Sequence, residues 1–116
     1  MKKAFAVVAL GLMAVGGPAF ASADLAECVG AQGEVICIER SERFIAFAAE
    51  HCRARGVANV GFVMADVMQD ELPVTGADAV WCRWLAIFVS DPALLVRKMA
   101  DMLEPGGKLI FHEYVH

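Results

Sequence analysis

The sequence predicts an α/β domain in which a mainly parallel sheet is covered by helices on both faces. Three observations carry this reading. The apolar, β-branched runs "EVICIE", "NVGFVMAD", "ADAVWCRW" and "KLIFHEYV" are too continuous for strands that turn one face to water. Segments of helical period alternate with them, and residues suited to starting or stopping a helix mark the junctions. The order strand, helix, strand, irregular link, strand, helix, strand then favours parallel pairing through right-handed crossovers.

The first 23 residues admit two readings. Met1, Lys2 and Lys3 precede a stretch from Ala4 to Ala23 that has no charge and is broken only by Gly, Pro and Ser. Ala21-Ser22-Ala23 has the small-residue form of an export cleavage site, which makes residues 1–23 a signal peptide with Asp24 as the mature start. Alternatively the run is the first strand, and "GGPAFASADLAE" is a glycine loop opening a helix. Gly11, Gly16, Gly17 and Pro18 interrupt the run, which argues against a stable membrane span.

"DLAECVG" reads as the tail of a helix stopped by Gly30. After the strand at residues 34–39, Ser41 stands where an N-cap belongs. The helix behind it lines up Phe44, Ile45, Phe47, Ala48 and Cys52 along one face before Gly56 ends it. The strands "NVGFVMAD" and "ADAVWCRW" follow. "DPALLVRKMADMLEPGG" is then a helix with Asp91 as cap and Pro92 in its first turn, and the strand "KLIFHEYV" comes last.

Composition narrows the function. A chain of 116 residues is one small domain, and 59% hydrophobic residues is high for it. The net charge of -4 and the ten scattered Lys and Arg give no footprint for nucleic acid. The four cysteines form no C-x-x-C pair and are read as reduced, mostly buried thiols. His51, His112 and His116 do not stand at ligand spacing with them, so no metal site is assigned.

In a parallel sheet the ligand lies at the carboxyl ends of the strands, where strand order reverses. The residues at those ends are Glu39, Asp66, Arg83 and Trp84. Two acids on adjacent strand ends can accept hydrogen bonds from ribose hydroxyls and an adenine amino group. Glu39 follows Gly17 by 22 residues, close to the interval of about 20 between a glycine loop and its ribose-binding acid.

Taken in order, "VICIERSERFIAFA", "NVGFVMADVMQDELP", "DAVWCRWLAIFVSDP" and "LLVRKMADMLEPGGKLIFHEY" resemble the class I S-adenosylmethionine-dependent methyltransferases over about residues 24–116. The Pro-Gly-Gly turn after an amphipathic helix is the most specific part. The resemblance implies a Rossmann-like three-layer sandwich and S-adenosylmethionine as cofactor. It implies that Glu39, with Arg40 beside it, meets the ribose diol, and that Asp66 with the Val67 backbone holds adenine. Arg83 would then lie near the methionine end of the cofactor or the substrate. No catalytic residue is assigned; His112, Glu113 and Tyr114 are candidates for a base by place alone.

The departures from the family pattern are specific. The family's first strand ends in an acid and a loop of three alternating glycines. Aligning "VGGPAF" to it puts Met13 at the acid, Val15 at the first glycine and Ala19 at the third, and leaves Gly17 in register. The antiparallel strands that close the family's sheet have no counterpart before His116, so residues 1–116 are read as a single partial domain whose fifth strand is a bare apolar edge open to association.

The expected function is methyl transfer to a small-molecule acceptor in the cytoplasm. The alternatives are a non-catalytic Rossmann-like interaction module, a nicotinamide enzyme, which would need a better glycine fingerprint, and a protein exported to the periplasm or beyond.

Overall fold

The structure is a computed structural model that describes residues 6–11, 17–83 and 89–112. Their elements run in the order β1 (Ala6–Gly11), α1 (Gly17–Val29), β2 (Glu34–Glu39), α2 (Glu42–Ala54), β3 (Val60–Met64), β4 (Ala77–Arg83), α3 (Pro92–Met102) and β5 (Leu103–His112). The strands form one sheet in the order β3-β2-β1-β4-β5. Every pair in it is parallel. Strand order therefore proceeds one way from β1 through β2 to β3 and reverses to β4 and β5. With crossovers of one hand, that reversal sends the connecting helices to opposite faces of the sheet.

The packing follows this rule. Alternate residues of a strand face opposite ways. Val35 and Ala79, both buried, pack with Ala26, Leu25 and Val29 of α1. Their neighbours Ile38, Val80 and Cys82 pack with Leu95, Met99 and Met102 of α3 and with Ala65 and Val74 of the irregular link. Helices thus cover both faces, which is the three-layer Rossmann-like arrangement the sequence predicts.

The helix signals act as local chemistry requires. Ser41 is extended, and its hydroxyl accepts from the Phe44 amide at 3.4 Å. Asp91 Oδ1 accepts from the Leu94 amide at 3.1 Å, with Pro92 in the first turn. At the end of α1 the Gly30 amide donates to the Ala26 carbonyl. Asn59, just before β3, directs its Nδ2 to the carbonyls of Ala26, Gly30 and Gly33 at 2.9–3.2 Å, tying the end of α1 to the β2 entrance. The Arg55 guanidinium reaches Asp24 and Glu27, joining α2 to α1. Cys37, Cys52 and Cys82 are buried thiols, whereas Cys28 is exposed.

Three expectations need correction. The helix that begins after Asp91 stops at Met102, and the Pro-Gly-Gly stretch expected as a turn between it and the last strand lies within β5, which begins at Leu103. Pro105 has no amide to donate, would crowd the carbonyl four residues back, and pushes Glu104 toward extended backbone. Leu103 is already extended and pairs with Ala77. The register then slips, Ala79 pairing with Lys108, and the Pro-Gly-Gly stretch takes up the extra residues. Gly106 has φ +86°, and a Cβ on Gly107 would stand 3.0 Å from the Glu104 carbonyl oxygen and 3.1 Å from that of Ala77. Glycine is the residue that fits both places.

The second correction concerns α2, where Phe44 and Phe47 are not part of the inward face: they are 36% and 53% exposed. The buried stripe runs through Ala48 and Cys52 with Ile45 beside it. At about 100° per residue, Phe47 lies roughly 130° from the middle of that stripe. The third concerns β3. It is an outer strand with Gly61 and Met64 exposed, not one buried on both faces. At the opposite edge of the sheet β5 leaves Ile110 and Phe111 partly exposed among the described residues.

Leu95, fully buried against β4 and the link, is expected to cost about 2–5 kcal/mol when changed to Ala. Phe47→Ala is expected to stay within about 0.5 kcal/mol, because its side chain is largely in water already. Equilibrium urea unfolding of the two variants measures the contrast.

Candidate functional site

The register fixes which residues share the carboxyl edge of the sheet. Glu39 pairs with Met64 on one side, while Gly11 pairs with Arg83, and Arg83 in turn with His112. Ala9 pairs with Cys37, so Gly11 stands level with Glu39 two residues on. A single row therefore holds Met64, Glu39, Gly11, Arg83 and His112. The reversal of strand order falls at β1, in the middle of that row. Gly17 is the first residue of α1, the helix that follows β1, so its amide end belongs to the same edge. Val67 opens the turn after β3, and its side chain packs on the α3 side of the core. Met13, Val15, Trp84, Glu113 and Tyr114 lie outside the described residues.

Glu39 is the one buried charged residue among the described residues, at 8% exposure. Its Oε1 accepts from the Ser41 amide at 3.0 Å, and its backbone carbonyl accepts from the Ala65 amide at 3.1 Å. Burial pushes its carboxyl above the ordinary glutamate value. The Ser41 and Arg40 amides and the Arg40 guanidinium oppose that shift without cancelling it. This carboxylate sits out of water at a strand end, partly stabilised by backbone donors and able to gain from further ones.

Asp66 is set up differently. Its Oδ1 accepts from the Met68 amide at 2.9 Å and the Gln69 amide at 3.2 Å, closing the turn after β3 as a cap does. Its Oδ2 lies 3.8 Å from Nη1 of Arg40, which is 78% exposed, so this ion pair adds little stability. The Met68 amide, helped by Gln69, Arg40 and Lys98, holds the Asp66 carboxyl below the ordinary aspartate value against the opposing effect of burial. An ionised carboxylate accepts only. With Oδ1 occupied, Oδ2 is the oxygen turned away from the turn.

The structure brings Glu39, Arg40 and Asp66 together through the Ala65 amide to Glu39 carbonyl bond and the Arg40–Asp66 pair. It puts the Arg83 backbone across β1 from them. Two residues of this region were not anticipated. Asp70 Oδ2 accepts from the Asp66 amide at 2.7 Å, and the Asp70 amide donates to the Asp66 carbonyl at 2.9 Å. Lys98 of α3 donates to the Asp70 carbonyl at 2.6 Å. The D-x-x-x-D spacing is a readable cap signal, but a lysine 28 residues downstream carries none.

Comparison with known proteins bears on the family and the fold. Residues 13–111 match the family model described as a methyltransferase domain. The phosphoethanolamine N-methyltransferase 3 of Arabidopsis thaliana is 33% identical over 82 residues, covering 70% of this chain and 16% of that protein. The demethylmenaquinone methyltransferase of Geobacillus kaustophilus is 30% identical over 86 residues, covering 74% and 37%. Among solved structures, coclaurine N-methyltransferase bound to N-methylheliamine and SAH superposes with a TM-score of 0.80 at 22% identity, over 96% of this chain and 31% of that one. The chain thus spans less than half the length of each of these relatives.

A raised carboxyl pKa in the folded state means that the folded protein holds the Glu39 proton more tightly than the unfolded chain. The protonated side chain therefore favours folding, and that advantage is lost as pH rises through the folded-state value. Glu39→Gln is expected to gain stability relative to wild type as pH rises from about 4 toward 7. Denaturant unfolding at a series of pH values measures it, and a pH-independent difference would contradict the burial of the charge.

Proposed function

This chain belongs to the class I S-adenosylmethionine-dependent methyltransferase family, and on that premise we propose that it holds S-adenosylmethionine at the carboxyl edge of its sheet and transfers the methyl group to a small-molecule acceptor. The observation that carries the reading is the buried Glu39 carboxylate at the end of β2, one strand from the point where strand order reverses, with Asp66 following the adjacent β3. In this reading Glu39 accepts from the ribose hydroxyls, where a ligand donor would add to the Ser41 and Arg40 amides in stabilising a desolvated charge. Asp66 Oδ2 accepts from the adenine amino group beside the Val67 backbone. Arg40 and Gly17 would border the same ligand, and the Arg83 position would lie near its methionine end or the substrate.

When bound, the cofactor would supply an electrophilic methyl on a sulfonium, open to an acceptor's lone pair, with the electrons of the broken carbon–sulfur bond returning to sulfur. The protein's part is to hold the two reactants in line and keep water out. A proton leaving the acceptor needs a base only where the acceptor is not already deprotonated; the His112 backbone stands at the carboxyl end of β5, and Glu113 and Tyr114, which follow it in sequence, remain candidates by place alone.

Residues 1–23 stay with the domain in this proposal. Cleavage after Ala23 would delete β1, the strand on which both β2 and β4 pair, and leave two buried ladders open. We therefore infer cytoplasmic retention. No helix among the described residues is long and apolar enough to cross a membrane. Among the described residues β5 is an outer strand with Ile110 and Phe111 partly exposed, and association, where it occurs, would use that strand.

Calorimetric titration with S-adenosylmethionine is expected to show binding, and Glu39→Ala to weaken it about 10- to 100-fold, the value of hydrogen bonds to a charged acceptor. No heat and no thermal shift at millimolar ligand would sink the assignment. Mass spectrometry of the N-terminus from cells is expected to find Met1 or Lys2, whereas a start at Asp24 would establish export.

A further inference from the structure

The turn after β3 contains an arrangement that the cofactor reading does not itself require. Asp66 accepts two amides through Oδ1, and its own amide and carbonyl are both bonded to Asp70. The exchange resembles a capping box, except that the reciprocating acid sits four residues on instead of three. Lys98 Nζ, from a helix on the α3 face of the sheet, fixes the Asp70 carbonyl at 2.6 Å. Val67, Met68 and Leu72, around these bonds, pack against the core that contains Leu95 and Met99. The backbone of Asp66 is thereby held at both its polar groups, and its side chain at one oxygen. Oδ2 carries no hydrogen bond from the turn and faces only the solvated Arg40 guanidinium at 3.8 Å.

We propose that Asp70, anchored by Lys98, is a positioning residue that aims Oδ2 of Asp66 at the purine and so sets selectivity for an amino group over a keto oxygen. The inference rests on the reading of Asp66 as the adenine contact. Asp70 touches no ligand in it. Without the Asp70 carboxylate, the Asp66 amide would turn to water and the strand end would gain freedom, so that Oδ2 spends less time where a purine amino group can reach it. A fixed acceptor discriminates strongly between a donor and another acceptor placed opposite it, and a mobile one does so less.

The test uses S-adenosylhomocysteine and S-inosylhomocysteine, which carries a keto oxygen in place of the amino group. Asp70→Ala is expected to weaken S-adenosylhomocysteine binding about five- to tenfold and to reduce the preference over the inosine compound by a similar factor. Asp70→Asn keeps an oxygen that accepts from the Asp66 amide and is expected to stay within about twofold on both measures. A loop that is merely loosened loses affinity for both compounds alike, so an unchanged preference in Asp70→Ala overturns the positioning role. Lys98→Met, remote from the ligand, is expected to shift the preference in the same direction, and it replaces Asp70→Ala should that variant unfold. Amide hydrogen exchange without ligand is the second readout. The Asp66 amide is expected to exchange about tenfold faster in Asp70→Ala than in Asp70→Asn, and equal rates overturn the clasp. If the wild-type chain binds neither compound, the proposed function fails and the positioning role with it. The exchange rates still report the clasp separately, so the two failures are distinguishable.

Discussion

The pairing of β1 on both its sides is the constraint from which the rest of the structure follows. Ala6–Ala9 align with Glu34–Cys37, and Val7–Gly11 align with Ala79–Arg83. Because the strands on its two sides are reached in opposite directions, their crossover helices cover opposite faces, and the loops that follow the strands diverge above β1. In parallel sheets the crevice at such a reversal is where ligands bind as a rule, and the topology alone puts that place at this edge. The side chains decide what the site can hold. On the β2–β3 side they are acids, one buried and one capped, and across β1 stands the backbone of Arg83.

The two acids show how burial and local hydrogen bonds separate like groups. Glu39 has two neighbouring amides and little water, and desolvation dominates. Asp66 has two amides and more water, and the amides dominate. Of the two, Glu39 is the one whose ionised form is penalised by burial and would gain when a ligand donates to it. The same comparison explains why the Arg40–Asp66 pair contributes modestly: its cation is mostly solvated.

Much of this was legible in the sequence because the signals were local. Ser41, Asp91 and Pro92 mark helix starts by chemistry confined to one turn, and Gly30 and the Pro-Gly-Gly stretch mark ends in the same way. The positions of Glu39 and Asp66 at strand ends followed from strand boundaries alone. What was not legible depends on neighbours distant in sequence. Phe44 and Phe47 have the period of a buried face, but the sheet meets a different stripe of α2. β3 has the composition of an inner strand and lies at the edge, since strand order is not written in composition. The Lys98 tether joins residues on separate elements, and no local pattern announces it.

The register of β1 also bears on how the chain reaches this state. Ala6 meets Glu34, 28 positions later, whereas Val7 meets Ala79, 72 positions later. The longer closure adds only about 0.8 kcal/mol of chain entropy. In time the difference is larger, because a parallel sheet has no hairpin from which to start and its pairings wait for distant segments. During synthesis β1 can be covered on one side once β2 has emerged, and its other side stays open until β4 has been made. β1, an uncharged apolar strand, is thus half-exposed from the emergence of β2 until the arrival of β4 ends that interval.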